Sequence, residues 1–161
     1  MKIFFLLLIL NSLFLTFNCY GQQYGWVALN PPSSPSTPDF SDLYFTNDSM
    51  GWISSGSTNN VFKTTDGGET WIIQTTDSPL DLNSICFIND NNGYVVGYNG
   101  RILKTSNGGT EWACLTSYNN LNSLRSVFFT DTNKGYAVGG NDYTGGSGSL
   151  QITFDGGENW S

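Results

Sequence analysis

Apolar residues in this chain come in short runs of four to six, broken by polar and glycine-bearing segments, and within each run they alternate or cluster as strands do. One stretch shows the pattern cleanly. Ser84–Ile88 alternates towards a strand, Asn89–Asn92 is polar, and Gly93–Tyr98 is rich in β-branched and aromatic residues. Asn99-Gly100 follows, a pair that tolerates the positive φ angles of a type I′ hairpin. Arg101–Thr105 then reads as a third strand, Ser106–Glu111 as a turn, and Trp112–Ser117 as the start of a fourth. No segment after residue 21 repeats its apolar positions every 3.6 residues, so no helix is predicted there.

The same stretch recurs on either side. Phe45, Phe87 and Phe129 are 42 residues apart, and so are Gly51, Gly93 and Gly135, each followed by an aromatic residue: Trp52, Tyr94 or Tyr136. Every copy closes on a glycine-rich box and a tryptophan, as in Lys63–Trp71, Lys104–Trp112 and Ile152–Trp160. Spacing differs only between the aromatic and the box, where the third copy is six residues longer than the second. Four short antiparallel strands every 40 to 45 residues is the arithmetic of a β-propeller blade. The fold class predicted is all-β: a partial β-propeller of about three four-stranded antiparallel blades, expected to be a fragment of a larger ring.

The box residues carry a resemblance. Thr64, Asp66, Gly68 and Trp71, with Thr70, resemble the Asp-box of bacterial neuraminidase-type repeats. The second copy, Thr105, Asn107, Gly109 and Trp112, departs by its asparagine and by Glu111; the third, Thr153, Asp155, Gly157 and Trp160, departs by Asn159. The wider unit is similar to the photosystem II assembly factor-like propellers of secreted bacterial proteins, over residues 40 to 160. Physically, an Asp or Asn side chain accepts hydrogen bonds from backbone amides just ahead of it, and the glycine takes angles closed to other residues. The tryptophan is then expected to fold beneath the turn into the core, with Trp71→Ala costing about 3 to 5 kcal/mol. The box reads as joinery rather than as a catalytic or metal site, because its copies scatter their carboxylates.

Composition fixes the address. Lys2 precedes about fifteen mostly apolar residues, the layout of a secretory signal peptide, with Cys19-Tyr20-Gly21 offering a cut before Gln22. Lipidation at Cys19 is the weaker alternative. The predicted organisation is a signal peptide (1–21), an N-terminal outer strand and proline-rich linker (22–41), blade 1 (42–80), blade 2 (81–122) and an incomplete blade 3 (123–161). Secretion to the periplasm, cell surface or medium follows as an expectation, with no membrane attachment after cleavage. The strand-like Tyr24–Asn30 would pair with a last blade, and open blade edges invite self-association.

Candidate chemistry is thin. Histidine is absent, so the commonest general base and metal ligand is missing. Net charge is -7, and cleavage removes Lys2, so nucleic acid is an unfavourable partner. Cys86 and Cys114 could bridge in an oxidising compartment; both lie in apolar stretches, and the reading here is buried unpaired cysteine. A sialidase is disfavoured by having only Arg101 and Arg125 as arginines, and by Glu69, Glu111 and Glu158 all lying in the boxes. Asn89–Asn92 offers oxygen ligands for calcium but reads better as a repeated turn, so neither metal nor cofactor is expected. The candidate binding loop is Gly139–Ser149, with Asp142 and Tyr143, beside Ser78–Asn83 and Ser117–Asn122. The expected function is a non-enzymatic secreted propeller module for protein or glycan binding or assembly; the alternative is an accessory or N-terminal part of a larger secreted hydrolase such as a glycosidase.

Overall fold

The computed structural model describes residues 38–78, 81–115, 122–141 and 148–161. Three separate antiparallel sheets follow one another along the chain. The first runs β1 (Phe40–Phe45), β2 (Gly51–Ser55), β3 (Asn60–Thr64) and β4 (Ile72–Thr75), in that spatial order. The second repeats it with β5 (Leu82–Phe87), β6 (Gly93–Gly97), β7 (Ile102–Thr105) and β8 (Ala113–Cys114). The third holds β9 (Asn122–Phe129), β10 (Gly135–Asn141) and β11 (Gly148–Thr153). After β11 the backbone turns back at its box, so that Ile152 and Ser161 exchange both hydrogen bonds, at 2.9 and 3.0 Å. These are three blades of a β-propeller, the last with three strands. The signal peptide, Cys19, and the N-terminal strand and linker as far as residue 37 lie outside the described residues.

Local chemistry explains the blade. Asn99 sits at φ 55° and Gly100 at φ 71°, and Arg101 N donates to Tyr98 O at 3.3 Å, closing the type I′ turn. With Asn99 at φ 55° and ψ 34°, this segment is a left-handed turn and not a helical one. The spaced glycines are needed for a different reason. A Cβ at Gly51, Gly93 or Gly135 would stand 2.6, 2.5 or 2.6 Å from the ring of Phe45, Phe87 or Phe129, so glycine makes room for the phenylalanine opposite it.

Consecutive blades pack face to face, with their first strands side by side. Phe87 stacks on Trp52 of the preceding blade at 3.7 Å between ring centroids, and Phe129 stacks on Tyr94 at 4.0 Å. Around these pairs lie two apolar clusters: one joins Trp52 and Val61 to Leu82, Ile85, Phe87 and Trp112, and the other joins Tyr94, Val96 and Ile102 to Leu124, Val127 and Phe129. The core is therefore a series of junctions between blades.

Each first strand has a bulge near its start, and in the first two blades the bulge aims a side chain across the junction. Ser41 Oγ donates to Leu82 O at 2.6 Å, and Asn83 Nδ2 donates to Leu124 O at 2.7 Å. The neighbouring residue repeats the device. Asp42 Oδ2 accepts from Ile85 N at 3.0 Å and from Ser84 Oγ at 2.8 Å, while Ser84 Oγ accepts from Val127 N at 3.3 Å. The blades are thus tied polar group to polar group where their first strands meet.

Candidate functional site

All three boxes have one geometry. Each begins with a buried threonine whose hydroxyl oxygen accepts from a glycine amide four residues on, at 2.9 Å from Gly68, Gly109 and Gly157 alike. The hydroxyl in turn donates to Asp66, Asn107 or Asp155, at 2.7, 3.0 and 2.8 Å. That side chain then accepts from the backbone amide of Thr70, Glu111 or Asn159, at 2.9 Å in each copy. An asparagine serves in the second box because one side-chain oxygen takes both of these bonds; the second oxygen of Asp66 and Asp155 accepts from Thr70 Oγ1 and Asn159 Nδ2, and in its place Asn107 Nδ2 donates to Glu111 Oε2 at 3.4 Å. The box amides of Gly67, Gly108 and Gly156 also donate to Ser49, Asn91 and Asn133 O, joining each box to the turn between its blade's first two strands.

Two boxes reach further, onto the preceding blade. Trp52 Nε1, Lys63 Nζ and Gln74 Nε2 of blade 1 all point at Gly108 O, at 3.2, 3.1 and 3.2 Å. Tyr94 Oη and Lys104 Nζ of blade 2 donate to Gly156 O at 2.5 and 2.8 Å, and Lys104 also pairs with Glu158 at 2.5 Å. Gly108 holds φ 68° and Gly156 φ 66°, which presents these carbonyls outward at an angle glycine alone adopts freely. The box is therefore both a turn lock and an inter-blade latch. Sequence reasoning missed the latch lysines, although Lys63 and Lys104 stand at the same place directly ahead of their boxes, where the third copy has Ile152.

The tryptophans differ in burial. Trp112 is buried beneath its box against Phe87, edge to face at 6.0 Å. Trp71 and Trp160 are half-buried, against Phe45 at 6.3 Å and Phe129 at 5.9 Å. The expected full burial of Trp71 is corrected: the side of blade 1 on which it lies has no blade packed on it among the described residues. Of the two cysteines, Cys86 is buried as expected and Cys114 is not. Burial pushes the Cys86 thiol pKa up, whereas Cys114 on the edge strand β8 is exposed.

The carboxylates of the first and third boxes are tuned by the same hydrogen bonds. Asp66 is lowered from 3.8 to about 2 by the Thr70 hydroxyl and amide and by Thr64, and Asp155 from 3.8 to about 2 by Asn159 and Thr153. A depressed carboxyl stabilises the fold fully above its ordinary pKa and loses that contribution as pH falls towards 2. Asp66→Asn with Asp155→Asn, copying the second box, is expected to flatten the acid limb of the stability profile. Thermal melts from about pH 5 down to about pH 2 check this, and an unchanged acid limb would count against it.

Other candidates resolve as structure. Asn47, Asn89 and Asp131 each cap two backbone amides of their turns, at 2.8 to 3.0 Å, so these oxygens serve the chain itself. Between neighbouring turns lie two open polar hollows, of about 620 Å³ beside Thr46 and Asp90 and about 250 Å³ beside Asn92, Lys104 and Asp155. On the opposite rim, Arg101 is buried and its Nε donates to Ser78 Oγ at 3.2 Å, which fixes the linker between the first two blades. The predicted binding loop shortens, because Gly139, Gly140 and Asn141 extend β10 and Gly148 and Ser149 extend β11. Asp142 and Tyr143 lie outside the described residues.

Residues 22–123 match the family described as Photosynthesis system II assembly factor YCF48. Two solved structures of YCF48 share the fold. One, bound to a D1 peptide, has 25% identity and a TM-score of 0.66 over 84% of this chain and 44% of its own. The other, from Cyanidioschyzon merolae, has 24% identity and a TM-score of 0.64 over 80% and 41%. An ancestral GH74 enzyme reaches 0.66 at 21% identity, over 84% of this chain and 19% of that one, a likeness of fold alone. Among curated proteins none matches the chain. The chain spans about two fifths of the length of the YCF48 structures.

Proposed function

The chain belongs to the Photosynthesis system II assembly factor YCF48 family, and from that premise we propose that it is a non-enzymatic, secreted propeller module that binds a segment of another protein. The observation that carries this reading is the relative solved with a D1 peptide bound, which aligns with 84% of the chain. The chemistry of this chain agrees with it. Histidine is absent, and the carboxylates of Asp66 and Asp155 are held in turns by hydrogen bonds. Glu158 is engaged with Lys104. Secretion is proposed from the charge-then-apolar pattern of residues 1–17. The peptide named for the relative is not assigned to this chain, because fold likeness does not transfer a partner.

Binding is tested by displaying the purified chain to a random peptide library and to a glycan array, followed by calorimetry on the strongest hits. Saturable one-to-one binding of a peptide is the expected result. Hydrolysis of soluble polysaccharides or aryl glycosides by the purified chain would overturn the reading in favour of a hydrolase.

A further inference from the structure

Ring stack, bulge contact and latch occur at both internal junctions. One contact does not. Thr46 Oγ1, on the turn between β1 and β2, donates to Asp90 Oδ1, on the turn between β5 and β6, at 2.5 Å, and Asn47 Nδ2 donates to the same oxygen at 3.4 Å. One 42-residue step on, Ile88 stands at the place of Thr46 and Thr132 at the place of Asp90, so the second junction has no such tie. That junction stacks and latches without it. Holding two blades together therefore does not require the pair.

The 620 Å³ hollow opens between these two turns, and Tyr44, Thr46, Asn47, Asp90, Asn91 and Asn92 are among the residues lining it. Its charge is unbalanced. Among the described residues Asp90 is the one charged group in the lining. Thr46 and Asn47 fix one oxygen of the exposed carboxylate, and Oδ2 takes no hydrogen bond from the described residues. Lys63 does not line the hollow and is committed to Gly108 O at 3.1 Å. The 250 Å³ hollow of the second junction balances itself, since Lys104 and Asp155 both line it. Tyr44 also departs from the repeat, standing half-buried where blade 2 has Cys86 and blade 3 has Phe128. An aromatic ring beside a carboxylate favours a cation.

We propose that the larger hollow seats a lysine or arginine side chain of a partner protein, whose ammonium or guanidinium donates to Asp90 Oδ2. A phosphate or carboxylate would be repelled there, and a neutral sugar would leave the charge unbalanced. The net charge of -7 draws a basic segment towards the chain before contact. The proposal rests on the peptide-binding reading and names the group that such binding selects.

The test is selection on the purified chain from a library of otherwise uncharged peptides, in which some members carry one lysine or arginine, followed by calorimetry on the strongest hits. Enrichment of the basic members is expected. Asp90→Asn keeps the oxygen that Thr46 and Asn47 bind and removes the charge, so its melting temperature is expected to match that of the unaltered chain. Its affinity for the basic hits is expected to fall about tenfold, the worth of one hydrogen bond to a charged group. Replacing the basic residue of the peptide with glutamine is expected to cost the same, and the two changes together no more than either alone. Hits without basic residues, or basic hits that bind Asp90→Asn as tightly as the unaltered chain, would overturn the proposal and leave the peptide-binding reading standing. A chain that binds no peptide would overturn both.

Discussion

Trp112→Ala is expected to lower the free energy of unfolding by about 3 to 5 kcal/mol, whereas Trp71→Ala, at the same place in the preceding repeat, is expected to cost about 1 to 2 kcal/mol. The sequence context is nearly the same in both. What differs is the neighbour. Trp112 is 7% exposed and meets the edge of Phe87, whose own ring lies on Trp52 of the blade before. Removing its indole leaves a cavity in a junction closed on both sides. Trp71 meets Phe45 in the same edge-to-face manner, but Phe45 is 38% exposed and has no ring stacked on its outer side among the described residues. Urea unfolding of the two variants measures the difference directly. Equal losses would show that burial comes from the box alone and not from the junction between blades.

The same contrast explains what could be read from the sequence. The strands and turns were legible because their signals are local: alternation in Ser84–Ile88, the Asn99-Gly100 pair, and the threonine, aspartate and glycine of each box. The blade count was legible because Phe45, Phe87 and Phe129 keep one interval. Burial at the ends of the array was not legible. Nothing local separates Trp71 from Trp112, or marks Cys114 as lying on an exposed edge strand. The latch was missed for a related reason. A lysine in a strand reads as a solvent-facing residue, while the acceptor of Lys63 lies 45 residues away and that of Lys104 lies 52 away. The extra residues of the third repeat read as a loop because they are mostly glycine and serine, yet pairing of Gly139 with Ser149 and Gly140 with Gly148 lengthens the hairpin at its loop end.

Latch, bulge and ring stack all point the same way along the chain. In the first junction Trp52, Lys63 and Ser41 of the earlier blade act on Gly108, Phe87 and Leu82 of the later one. In the second, Tyr94, Lys104 and Asn83 act on Gly156, Phe129 and Leu124. Such a directional junction fixes the order and register of the blades, since a reversed pair would bring donor to donor and ring to ring without a partner. It also separates the two duties of the repeat: the stacked rings and the apolar clusters around them supply the burial, and the latch selects the arrangement in which that burial occurs.

Gly93→Ala tests how tightly that stack is held. Its added methyl would stand 2.5 Å from two ring carbons of Phe87, and Phe87 cannot retreat because Trp52 lies 3.7 Å behind it. Overpacking of this kind is expected to cost about 1 to 3 kcal/mol, more than the fraction of a kcal/mol that alanine recovers from glycine's lost chain entropy. Phe87→Leu removes the ring carbons that collide, so the double variant is expected to lose about 1 kcal/mol less than the sum of the two single changes. Gly51→Ala supplies the control. Its methyl would meet the Phe45 ring at 2.6 Å, but that ring is 38% exposed and has room to turn aside, so the loss there is expected to stay below about 1 kcal/mol. Additive losses at Gly93 and Phe87 in urea unfolding would mean that the glycine serves the backbone of β6 and not the ring, and the account of the 42-residue glycine spacing would then fail.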